Sequence, residues 1–167
     1  MAGSAGRLHQ LGRRRLSAVL DLPKQMNGVT QERIKSAWAA LPRDCRSDPA
    51  TEEQVIEFEQ CFGTLPDDLR WFLTTCGGGT VGSEWVDDIH ALAASHRKFL
   101  EESAHRGGWT MQGVCVVGWD GGGNPFGIHR DSGRVLVEDH DFGGIHELAE
   151  SFEAFLVQGL RVDQREV

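Results

Sequence analysis

The stretch 114-VCVVGWDGGGNPFGIHRDSGRVLVEDHD-141 decides the fold. "VCVVGW" (114–119) is an apolar run of strand length and reads as a buried strand. "PFGIH" (125–129) and "RVLVE" (134–138) flank Asp131-Ser132-Gly133, a hairpin composition. Phe126 and Ile128 alternate toward one face, as do Val135 and Val137. Eleven of the 21 glycines lie between Gly107 and Gly144, which favours strands and turns over helix.

Outside this stretch the apolar spacing is helical. "TQERIKSAWAAL" (30–41) predicts a first helix, with Thr30 as cap and Ile34, Trp38 and Leu41 on one face. A second starts at Thr51, whose capping box is completed by Gln54, buries Val55, Phe58 and Phe62, and stops at Gly63. Pro66 opens a third, with Asp67 and Asp68 in the first turn, where the helix dipole favours acids. Leu69, Phe72, Leu73 and Cys76 form its apolar stripe and Gly77 its left-handed cap. A fourth is expected from about Trp85 to Glu102, with Ile89, Leu92, His96 and Phe99 on one face. A last, about 146–158, is expected to bury Leu148, Phe152, Phe155 and Leu156. Helices, then antiparallel strands, then a helix indicate α+β. The expected form is an antiparallel, strongly bent sheet in the C-terminal half, packed by the N-terminal helices and the C-terminal helix.

The 167 residues suit one domain, expected over 29–160. A basic leader over 1–28 and a tail over 161–167 complete the division. Residues 1–20 carry Arg7, Arg13, Arg14 and Arg15 and no acid. The chain's formal charge is −8, so the remaining 147 residues hold −12. A nucleic-acid binder usually presents a basic surface, so direct nucleic-acid binding is disfavoured. "LSAVLDLP" behind the arginines is broken by Asp21 and Pro23, too short for an export signal, and no stretch is long enough for a membrane span. The expected location is therefore cytoplasmic. The leader reads as mobile or loosely docked, or as an arm for an acidic partner or the domain's own acidic face.

Most candidate chemistry has a plainer explanation. Cys45, Cys61, Cys76 and Cys115 lack metal-site spacing and read as free thiols behaving as small core hydrophobes. "CGGGTVG" and "GWDGGGNPFG" lack the Lys-Ser/Thr of a phosphate loop and read as turns. His129, His140, Asp141 and His146 suggest a metal, but the hairpin register places His140 opposite about residues 123–125. That separates it from His129 by roughly 13–20 Å. No nucleophile–base motif is present, and His96 reads as a satisfied core histidine. No cofactor and no catalysis are expected. Trp71 lies off the apolar stripe and either packs on another element or is an exposed contact aromatic.

Four segments then appear in order. They are "EFEQCFGTLPDDLRWFLTTCGGG", "VVGWDGGGNPFGI", "GRVLVEDHD" and "LAESFEAFL". Together they resemble the signature segments of the SUKH superfamily, which includes fungal cell-wall-synthesis regulators and bacterial immunity proteins. The resemblance covers about 50–160. Gly77 stands where the family tends to have Asn, and Trp71 where it tends to be polar. The resemblance implies a non-catalytic binding protein, foremost an antidote to a cognate bacterial toxin such as a nuclease or deaminase. A regulatory scaffold, or a ligand-binding protein or enzyme using the glycine-rich loops, are the alternatives. An acidic inhibitor suits a basic nucleic-acid cleft and gains electrostatic steering. Candidate contacts are Glu84, Asp87 and Asp88 at the expected start of the fourth helix, Asp120, Asp139 and Asp141 at the hairpin end, and Trp71 as an aromatic anchor.

Overall fold

Local capping sets most of the helix starts in the computed structural model, which describes residues 25–162. Asn27 caps α1 (Gly28–Ala39) by accepting from the Thr30 amide at 3.0 Å. The helix thus begins before Thr30, which sits inside its first turn. A short 3-10 turn (Arg43–Cys45) leads to α2 (Glu52–Phe62). There Thr51 and Gln54 form the expected capping box, and Gly63 ends the helix at φ +88°. Pro66 precedes α3 (Asp67–Thr75), whose Leu69, Phe72 and Leu73 are buried.

Two expected helices give way in part to strands. The fourth was expected from Trp85. Instead β1 (Gly79–Val81) and β2 (Glu84–Val86) pair as a two-stranded antiparallel sheet across Gly82-Ser83. Asp88 then caps α4 (Ile89–Ser103), accepting from the His90 and Ala91 amides. Ile89, Leu92, His96 and Phe99 are buried along it. Downstream come β3 (Val114–Trp119), β4 (Pro125–His129) and β5 (Val135–Glu138). They are followed by β6 (Ile145–Ala149) where helix was expected, and α5 (Phe152–Gly159) starts only at its Ser151 cap. Leu148, expected to be buried, is exposed. The spacing of Leu148, Phe152 and Phe155 does fit a helix, but the open edge of β5 takes residues 145–149 into the ladder.

The fold is α+β with an open four-stranded antiparallel sheet, β3-β4-β5-β6. Register breaks at Val116/Gly118 and Val135/Leu136 bend it, as bulges do. One face carries Cys115, Val117, Phe126, Ile128, Val135 and Val137 into the main core with α1, α2, α3 and α5. Phe72 joins the layers, edge-on to Trp38 at 4.9 Å and to Phe152 at 5.8 Å. Gly77 has φ +86°, and a Cβ there would lie 2.6 Å from the Asp48 carbonyl oxygen, so backbone packing as well as the cap requires glycine. Cys76 and Cys115 are buried, and burial pushes their thiols up to about 12 and about 11. Cys61, expected in the core, is exposed, and Cys45 is half-buried.

At the ends the packed chain reaches past the expected boundaries. Met26 is 5% exposed within the core, and Leu160 and Val162 are also core residues. The leader reading for residues 1–24, and the tail reading for 163–167, lie outside the described residues.

A smaller cluster of Phe99, Met111 and Val116 forms a second core, flanked by Trp109, Trp119 and Leu136. Buried Glu138 holds the 109–113 loop beside it. Its carboxylate accepts from the Thr110 amide (2.8 Å), the Thr110 hydroxyl (2.7 Å) and the Met111 amide (2.7 Å). Charge-assisted bonds are strong, and buried donors left without acceptors are costly. Glu138→Ala should therefore destabilise by about 2–4 kcal/mol. Urea unfolding will measure this, and hydrogen exchange should accelerate at Thr110 and Met111 well before it does at Phe126.

Candidate protein-binding surface

The β3–β4 and β5–β6 turns meet at one end of the sheet, as the hairpin register requires. Asp120 closes the first turn. Its Oδ1 accepts from the Gly122 and Asn124 amides, each at 2.8 Å, and its Oδ2 from Asn124 Nδ2 at 3.0 Å. Asn124 Oδ1 then reaches across, accepting from the His140 amide (3.2 Å) and His140 Nδ1 (2.8 Å). Asp139 closes the second turn by accepting from the Asp141 and Phe142 amides. The Phe142 amide, with that of Asp141, holds the Asp139 carboxyl below the usual aspartate range. Trp109 stacks edge-on against His140 (5.4 Å) and Trp119 (5.8 Å), and Lys98 Nζ lies 3.7 Å over the Trp119 ring.

The glycine-rich turn therefore cannot cradle a phosphate as it stands. The Gly122 and Asn124 amides that would face an anion already serve the chain's own carboxylate. His129, at the opposite end of β4, accepts from Ser132 and lies apart from His140. Among the described residues, no three His, Cys, Asp or Glu side chains gather as a metal site would need.

The acids named from sequence divide into two groups. Asp120, Asp139 and Asp141 converge as expected, but Asp120 and Asp139 are committed to their turns. Asp87 is not a surface contact: it is 9% exposed, accepts from Ser95 Oγ, and burial raises its pKa. Ser95 Oγ in turn accepts from Trp119 Nε1 at 3.0 Å. Asp88 is the α4 cap, and Glu84 lies in β2 with Oε1 accepting from Ser83. Trp71 is half-buried against the main core.

An aromatic far more exposed than Trp71 lies at the second turn. Phe142, between Asp141 and Gly143 at the tip of the second turn, is 92% exposed. Beside it β6 ends the sheet, with Ile145 and Leu148 exposed and no described strand on its outer edge. Unpaired edges and exposed aromatics are typical protein-contact features. A phenylalanine in a D-F-G-G turn was the available signal, hidden once the following residues were read as helix.

The described geometry is that of two cross-braced turns presenting an exposed aromatic ring. A family model described as the SMI1 / KNR4 family (SUKH-1) matches residues 49–158. The chain belongs to this SUKH family. Its matched span holds α2 to α5 and both turns of the acidic end. No curated protein matches the chain. The family fits a non-catalytic, immunity-type or regulator-like domain. Among the described residues, no helix is long and apolar enough to cross a membrane.

A buried histidine of α4, packed against Phe58 and Phe62, is also shifted. His96 Nε2 donates to the Val116 carbonyl at 2.8 Å. Burial, reinforced by the Arg130 charge, lowers its pKa from the ordinary 6.5. A lowered folded-state value means that the histidine's contribution is complete above about 6.5 and is lost as pH falls through the lower value. The His96 contribution to stability should fall from pH 7 to 5, against the opposite contribution of Asp87 and Asp68, whose carboxyl pKa values burial raises. His96→Gln, which keeps a donor for Val116, should flatten that decline in pH-resolved urea unfolding.

Proposed function

We propose that this SUKH protein neutralises a cognate bacterial toxin by direct, non-catalytic binding, with Phe142 as its anchor. The observation that carries the reading is the almost complete exposure of Phe142 on a turn braced by Asp139 and tied through His140 and Asn124 to Asp120. A contact residue held in place loses little freedom on binding. The charge of −12 after residue 20 favours a basic partner. A nuclease or nucleic-acid deaminase, whose substrate cleft is basic, is the toxin class that fits. Asp141, unlike Asp120 and Asp139, accepts no backbone hydrogen bond from the described residues; its carboxylate is exposed, 3.6 Å from His140 Nε2, and is open to the partner's cations.

The test uses the toxin encoded beside this protein, titrated against native protein and variants. Phe142→Asp should speed dissociation and weaken binding by about tenfold or more, consistent with the loss of a buried aromatic contact. Its thermal unfolding should stay unchanged, because the ring is almost fully exposed. Asp141→Lys should slow association, most at low salt. Unchanged binding by both variants removes this surface, and no binding to the neighbouring toxin removes the antidote reading.

A further inference from the structure

At the opposite end of the sheet a groove of about 900 Å³ opens between the turn before α3, the β4–β5 turn and the start of α5. Leu65, Ile128 and Phe152 line its apolar part, and Asp67, Asp68, Glu150 and Glu153 its acidic part. Two arginines, Arg130 and Arg134, also line it, and neither pairs with Asp68 or Glu153. Arg134 pairs with Glu147 at 2.6 Å, and Arg130 donates to the Thr64 carbonyl at 2.5 Å. Asp68 and Glu153 form no ion pair with any described residue. Asp68 is partly buried, and burial, then the charges of Glu153 and Asp67, oppose its ionisation.

The chain enters the fold at this groove. The Gln25 side chain donates to Asp67, and the Met26 amide donates to Asp68 Oδ1 at 3.0 Å. Immediately upstream lies the segment with four arginines and no acid in its first 20 residues. We propose that Arg13, Arg14 and Arg15 bring this segment back onto the groove and seat guanidinium groups against Asp68 and Glu153. Ten residues separate Arg15 from Gln25, a reach of at most ~36 Å, so the arginines can meet the groove next to their own attachment point. Such a tether gives an effective concentration on the order of millimolar, enough for weak pairs to form. The planar guanidinium fork suits carboxylates that lack a cation. This groove lies away from the turns proposed to meet a toxin.

The test is the amide spectrum of the full chain against Arg13→Glu/Arg14→Glu/Arg15→Glu, a variant that changes none of the described residues. At low salt the amides of Ser132, Gly133 and Ser151 should differ between the two proteins, and those of Gly122 and Phe142 should not. The differences should vanish as the Debye length falls from about 30 Å at 0.01 M to about 3 Å at 1 M salt. Glu150→Lys/Glu153→Lys should abolish the same low-salt, Arg-dependent differences, and the effect should not change with protein concentration. Identical groove amides at low salt, differences centred on Gly122 and Phe142, or concentration-dependent shifts would each overturn the proposal.

Discussion

The pairing of Asp120 with Asn124 is the constraint from which the acidic end follows. A carboxylate accepting three donors fixes the β3–β4 turn, and the amide it fixes presents an oxygen to His140. The β5–β6 turn is thereby tied to the turn beside it. Phe142 is exposed because its turn is held by backbone and neighbouring polar groups, with no demand on its ring. The same bonds withdraw the glycine-rich amides from anion binding. One local arrangement thus accounts both for a braced pair of turns and for the lack of an open phosphate cradle.

Buried polar groups brace this end from behind. Trp119 donates to Ser95, and Ser95 donates to Asp87, so a ring, a hydroxyl and a carboxylate link β3, α4 and the segment between β2 and α4. Glu138 fastens the 109–113 loop over the outer sheet face and thereby positions Trp109 against His140. Each acceptor among them lies where an apolar side chain would leave a buried donor unpaired. Their burial is explained by these bonds, and acidic character in the sequence was a poor guide to which carboxylates reach solvent.

Much of the framework was legible because its determinants are local. The Thr51–Gln54 capping box, the Leu69–Phe72–Leu73 stripe, the β4–β5 hairpin and the buried His96 each depend on neighbours in sequence. The opposition of His140 to residue 124 followed from strand register alone. The candidate site was less legible. Asp87 looked like a surface acid at a helix start and is a buried acceptor, whereas Phe142 gave little signal outside its turn.

The sequence by itself determined the α+β class, most helix faces, the hairpin and the family, because caps, turns and apolar periods act over a few residues. Tertiary structure alone decided that 79–86 is a hairpin, that 145–149 joins β5 as an edge strand, and which carboxylates are consumed by turns. The physical reason is competition. Residues 145–149 carry a spacing that fits the start of a helix, and only the unpaired donors and acceptors of β5, placed alongside by the fold, favour the strand.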